Sequence, residues 1–242
     1  MVEINRSHDD LYLYENRYDE PKKLFQEMSR LAKESLSKPL AHPIRILDVG
    51  CAAGEFAYYL RTEFPEAKIT AFDLRQDLVD KAKANVDDVE FFVANIFNHY
   101  AVQPESFDLI FCSGVLSIFD DFRPIIDNLM SWKSSTGVVV LHGLFNNYPV
   151  DVNIKYKLAE NYESTELEAG WNIFSKASVS TYLNNSKFDL KYFFKDFRID
   201  LELPKKEDIL RSWTFRNESN GLELTNGLSV IQPHSILVMQ SS

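Results

Sequence analysis

The chain has 242 residues, 45% hydrophobic and 13% aromatic, which suffices for a sizeable core and excludes a disordered segment. Its 26 basic against 36 acidic residues leave a formal charge of −10, so neither nucleic acid nor anionic membrane is the expected partner. Two cysteines without metal-ligand spacing, no leader-like start and no apolar run of membrane length point to a soluble, cytoplasmic protein with reduced thiols and no metal.

Helical and strand patterns alternate along the chain. Residues 21–36 place Leu24, Phe25, Met28, Leu31 and Leu36 near helical spacing, with Pro21 in the first turn. RILDVG (45–50) reads as a buried strand and EFAYYLRTEF (55–64) as a helix stopped before Pro65. KITAFDL (68–74) is a strand, and QDLVDKAKANV (76–86) a helix capped by Gln76 or Asp77. VEFFVANIF (89–97) and FDLIFCSGV (107–115) are strands, RPIIDNLMSWK (123–133) a helix, GVVVLHGLF (137–145) a strand. Such alternation implies a mostly parallel α/β sheet with helices on both faces.

After residue 143 the rhythm changes. Residues 150–172 read as a charged helical insertion, and SKASVSTYLNN (175–185) as a short helix capped by Ser175. KYFFKDFRIDLEL (191–203) is a strand, KKEDILRSWTF (205–215) a short helix and HSILVMQ (234–240) a closing strand. No repeat or linker divides the chain, so 1–242 is expected to be one domain. Its parts are a cover segment and helix (1–40), a binding core (41–142), an inserted cap (143–187) and the final strands (188–242).

In open parallel sheets ligands lie beyond the carboxyl ends of the strands, at the point where strand order reverses. There RILDVG runs into Gly50, Cys51, Ala52, Ala53 and Gly54, a bare turn preceded by Asp48. Asp73 ends the second strand, where a carboxylate can accept both hydroxyls of a ribose. Asn95 follows the third strand, where an amide can pair with a purine edge.

These residues resemble the first motifs of class I S-adenosylmethionine-dependent methyltransferases, an acid followed by Gly-x-Gly-x-Gly, with Ala52 replacing the middle glycine. The resemblance implies a doubly wound, mostly parallel seven-stranded sheet with an antiparallel last strand and a helical insertion after the fifth. It implies S-adenosyl-L-methionine as cofactor, with S-adenosyl-L-homocysteine as product. It puts Asp48, Gly50, Cys51, Ala52 and Gly54 along the methionine and ribose part, with Asp73 on the ribose hydroxyls and Leu74 against the adenine. Asn95 and Ile96 would meet the adenine edge, with Cys112, Ser113 and Gly114 under the reactive end and Leu116 near the adenine. The alternative, a nicotinamide or flavin oxidoreductase, would need glycines two and three apart, whereas Gly50 and Gly54 lie four apart. A non-catalytic scaffold of the same fold is the third reading.

A sulfonium carries an activated methyl group, so the protein must align donor and acceptor and exclude water. His142, at the end of a strand, is the expected base for a protonated acceptor, ahead of His8, His42, His99 and His234. Tyr14, Tyr18, Phe145, Trp171, Arg211 and Trp213 are expected on the side of a small-molecule acceptor, Arg211 pairing with any carboxylate it carries. Ala52 already carries a Cβ, so its backbone is expected to suit an ordinary residue, and bulk at Gly50 is expected to block the ligand before it unfolds the protein.

Overall fold

The computed structural model describes residues 6–36 and 43–241; His42 and the boundary at residue 40 lie outside them. The chain order is α1 (Lys23–Ser35), β1 (Arg45–Val49), α2 (Glu55–Glu63), β2 (Lys68–Asp73), α3 (Gln76–Asn85), β3 (Val89–Val93) and β4 (Phe107–Ser113). Then come α4 (Arg123–Trp132), β5 (Lys133–Asn146), β6 (Lys155–Tyr156), β7 (Glu168–Ala169), β8 (Ile173–Ser175) and α5 (Lys176–Asn184). The last elements are β9 (Leu190–Asp196), β10 (Trp213–Arg216), β11 (Leu222–Thr225) and β12 (His234–Ser241).

The main sheet has the order β3-β2-β1-β4-β5-β12-β9, with β8 added beside the end of β5. Strands β1 to β5 are parallel, and β12 runs antiparallel between β5 and β9. The two-residue period of a strand sends neighbours to opposite faces. Ile46, Leu109, Phe111, Val138, Val140, Ile236 and Val238 therefore pack under α1 and α2, with Phe25 and Phe56 stacked at 4.5 Å. Leu47, Ile110, Val139, Leu141, Leu237 and Met239 pack under α4 and α5 around the fully buried Trp132. Because both faces are covered, the central strands are apolar almost throughout, which is why they are legible as continuous runs.

Three expectations are corrected. Residues 150–172 are not helical: β6 and β7 form a two-stranded hairpin with a 3-10 turn at Ala159–Asn161. Buried Asn172 organises it, donating to the Phe119 carbonyl at 2.7 Å and accepting from the Ile154 amide at 2.7 Å. A charged stretch without a helical apolar stripe has nothing to bury as a helix. Residues 205–215 hold no helix either; Trp213 to Arg216 alternate into a hairpin with Leu222 to Thr225. Its turn is closed by Asn217, whose side-chain oxygen accepts from the Ser219 and Gly221 amides. The first turn of α3 is not capped by Gln76 or Asp77, since Arg75 holds the N-cap position without a side-chain bond. The Ser175 cap does form, its hydroxyl accepting from the Ser178 amide at 2.9 Å.

Among the described residues no helix is long and apolar enough to cross a membrane, and no group of three or more His, Cys, Asp or Glu could hold a metal ion.

Candidate active site

Strand order reverses between β1 and β4, and a cavity of about 1070 Å³ opens beyond their carboxyl ends. Its floor is the turn after β1, with the ends of β2, β3, β4 and β5 around it. Asp48, Gly50, Cys51, Ala52, Asp73, Leu74, Asn95, Ile96, Ser113 and Gly114 all line it. Gly54 does not. It is the N-cap of α2 at φ +84°, and a Cβ there would stand 2.9 Å from the Ala82 Cβ and 3.2 Å from the Phe91 ring. That glycine is a packing requirement between α2, α3 and β3.

Gly50 is bare for a similar reason. At φ +71° its missing Cβ would lie 2.2 Å from a Val115 methyl, so packing against protein alone suffices to exclude a side chain there. Gly114, at φ +79°, is the glycine whose absent side chain points into open space. Ala52 overturns a second expectation: its φ is +47°, the left-handed region that glycine tolerates at less cost. Two residues expected under the ligand belong to the core instead, since Cys112 and Leu116 are both fully buried in it.

Asp73 is partly buried and already employed. One carboxylate oxygen accepts from the Ala52 amide at 2.9 Å and the other from the Arg75 amide at 3.0 Å, so it braces the glycine turn against α3. Burial raises its pKa against the pull of these bonds. Asn95 accepts from the Phe97 amide at 2.9 Å, which fixes the turn after β3. Asp48 is 1% exposed, and its Oδ2 has no partner among the described residues. Burial, and then the Asp73 charge, push its pKa up to about 7. Glu55, buried at the start of α2, likewise has an unpartnered Oε1. Burial, and then the Asp48 and Asp73 charges, push the Cys51 thiol up, away from the thiolate form.

His142 sits at the cavity wall, its Nε2 at 2.9 Å from Nδ1 of His234 on β12. Burial is the main cause that lowers both pKa values, His234 to about 4, so the pair is neutral at pH 7. One proton bridges the two rings, so the outer nitrogens, His142 Nδ1 and His234 Nε2, comprise one donor and one acceptor. His8 also lines the cavity, half-buried and 3.5 Å from Asp208, whereas His99 lies elsewhere, between Asn128 and Ser131.

The aromatic expectations separate. Trp171 lines the cavity, edge-on to His8 and 4.8 Å from the Arg6 guanidinium, and Arg211 lines it too. Phe145 is fully buried in the core against Phe194, because the strand period sends it away from the cavity. Tyr14 is 84% exposed, and neither it nor Tyr18 lines the cavity. Tyr18 instead donates to the Ala53 carbonyl at 2.7 Å. Trp213 is turned out onto β10, with the Lys205 ammonium 5.0 Å from its ring. Segment 6–22 makes the roof, with Tyr12 rather than Tyr14 or Tyr18 facing the cavity. Lys81 Nζ takes the carbonyls of Tyr12, Leu13 and Glu15, and Arg6 takes those of Ala169 and Gly170.

Glu55, Glu15 and Lys22, not expected at the site, line the cavity, as does His234. Glu55 carried a signal, an acid at the first helical position after the bare turn. The others are brought in by pairings remote in sequence.

Comparison with known proteins agrees with this geometry. Residues 41–198 match the methyltransferase domain family. Trans-aconitate 2-methyltransferase of Escherichia coli is 31% identical over 116 residues, 48% of this chain and 45% of that protein. The Shigella flexneri enzyme of the same name is 32% identical over 117 residues, with the same coverage. The chain thus spans about half the length of the curated relatives it matches. A plantazolicin methyltransferase, BpumL, solved with a pentazolic desmethylPZN analogue and SAH, shares the fold at a TM-score of 0.60 and 15% identity, covering 95% of this chain and 89% of its own. A doubly wound sheet with this strand order, the acid and glycine turn after its first strand, and a family match over most of the chain set the oxidoreductase alternative aside: the chain belongs to the class I S-adenosylmethionine-dependent methyltransferases.

Proposed function

We propose that this chain moves the methyl group of S-adenosylmethionine to a small-molecule acceptor by direct in-line displacement. The observation that carries this reading is one cavity collecting Asp48, Asp73, Asn95 and the open face of Gly114 from four successive strand ends. Two buried carboxylates with unpartnered oxygens, Asp48 and Glu55, suit a ligand that brings positive charge, as an adenosyl sulfonium with its α-ammonium does. Asp73 and Asn95 would take the ribose and the adenine edge. When bound, the cofactor supplies an activated methyl group. The protein's own work is alignment, exclusion of water under the 6–22 roof, and acceptance of a proton at His142 where the acceptor is protonated.

Calorimetry with the purified chain tests this. S-adenosylmethionine and S-adenosylhomocysteine bind, and NAD binds far more weakly or not at all; NAD binding without response to either adenosyl ligand overturns the reading. His142→Asn keeps cofactor affinity and loses turnover, followed as S-adenosylhomocysteine release; unchanged turnover removes His142 from the chemistry.

The pKa of Asp48 adds a pH signature. With its pKa near 7 in the free protein, Asp48 is partly protonated at neutral pH, and a cationic ligand favours the ionised form. Binding therefore releases a proton, so affinity falls as pH drops below about 7 and levels off above it. Calorimetry in buffers of different ionisation enthalpy detects the released proton. Asp48→Asn abolishes it, and a wild-type affinity flat from pH 6 to 8 excludes the contact.

A further inference from the structure

Of the carboxylates that the roof segment brings to the cavity wall, Glu15 is the one on which three cations converge. Glu15 has only 8% of its side chain exposed, and its Oε1 meets the Arg211 guanidinium. Arg17 stands 3.5 Å from the same oxygen, and Lys22 lies 3.6 Å from Oε2, which accepts no hydrogen bond. All four residues line the cavity. Among the described residues, Arg17, Lys22 and Arg211 have no other carboxylate within ion-pairing distance, although Lys22 also feels the Glu55 charge. Arg6, by contrast, is spent on Asp9 and on the carbonyls of Ala169 and Gly170.

In a chain of net charge −10, three cations gathered on one carboxylate at a partly buried site are unexpected. Cations cost free energy when water is withdrawn, and the pairs of Arg17 and Lys22 with Glu15 are loose, at 3.5 and 3.6 Å, Lys22 lying also over the Tyr12 and Phe25 rings. Burial is the largest influence on Lys22 and lowers its pKa, with Glu55 opposing the shift and Arg17 adding to it. Lys22 also lies within electrostatic reach of Glu55 on the cofactor floor and of His142 on the wall, which places the cluster beside the proposed reacting centre.

We propose that Arg17, Lys22 and Arg211 form the acceptor's anion site, that the acceptor is a small carboxylate, and that Glu15 is an internal stand-in holding the site until the acceptor displaces it. This rests on the methyltransferase reading and names its substrate class. A guanidinium fork matches a carboxylate bidentately, and Lys22 adds a point charge to either oxygen. Displacement of Glu15 would free the roof from Arg211 and couple acceptor entry to movement of segment 6–22, while Lys81 keeps its grip on the same segment from α3.

The test is calorimetry on the full chain with citrate and succinate as anionic probes and glycerol as neutral control, in the presence of S-adenosylhomocysteine. Citrate binds and weakens with added salt, while glycerol does not bind. Arg211→Gln lowers citrate affinity roughly tenfold or more, the loss of a charge-assisted pair. Glu15→Gln, near-isosteric and checked for folding by its melting curve, raises it several-fold because the internal competitor is gone. No citrate binding, or an Arg211→Gln variant with wild-type affinity, overturns the anion site. A Glu15→Gln variant with unchanged or weaker citrate affinity overturns the stand-in. S-adenosylhomocysteine binding measured in the same samples keeps the two readings apart: citrate binding without it removes the methyltransferase reading, and the reverse removes only the anion site.

Discussion

Gly50→Ala is expected to destabilise the protein by about 2–4 kcal/mol, the sum of a left-handed backbone forced on a residue with a Cβ and of overpacking in a closed space. The added carbon would lie 2.2 Å from a Val115 methyl, and a β-branched side chain has little χ1 freedom with which to retreat. Gly50→Val adds two further methyls at φ +71° and should not fold. Removing the obstacle gives the decisive measurement. In a double-mutant cycle with Val115→Ala, the overpacking disappears and only the backbone strain remains, so urea melts should show a favourable coupling of about 1 kcal/mol or more. A coupling near zero would mean that Val115 is not what keeps Gly50 bare. Gly114→Ala is the contrasting variant. Its Cβ meets nothing within 4 Å, so it pays the backbone strain alone, near 1 kcal/mol, while the methyl enters the cavity and weakens cofactor binding.

Asp73→Ala is expected to lose about 2 kcal/mol of cofactor affinity, roughly thirtyfold, if its carboxylate takes the ribose hydroxyls by charge-assisted bonds. The turn depends on the same carboxylate, so stability falls as well. The Ala52 and Arg75 amides lose their acceptor, at about 1 kcal/mol for each that water does not reach. Asp73→Asn separates the two effects, since an amide oxygen still accepts one backbone N–H but offers the ribose no charge. Its melting point should recover most of the loss while its affinity for S-adenosylhomocysteine remains well below wild type. Wild-type affinity in both variants would leave Asp73 as a brace for the turn and nothing more.

Much of this molecule is legible in local pattern. The buried strands from Ile46 to Leu141 are continuous apolar runs because both faces of a parallel sheet are covered, and the Ser175 cap is a property of four consecutive residues. The acid, the turn, Asp73 and Asn95 fall at strand ends, so their convergence follows once the strand order is known. What a glycine faces is another matter. Gly50 faces Val115, Gly54 faces Ala82 and Phe91, and Gly114 faces open space, though all three are simply glycine in a turn when read along the chain. Only the assembled sheet decides which absence of a side chain serves packing and which serves a ligand. The same holds for contacts with long sequence separation: His142 meets His234 across 92 residues, and Glu15 meets Arg211 across 196. Spacing along a chain carries information about partners within a few helical turns or strand repeats. Those pairs are set by β12 inserting between β5 and β9 and by the roof closing over the cavity, which no local periodicity encodes.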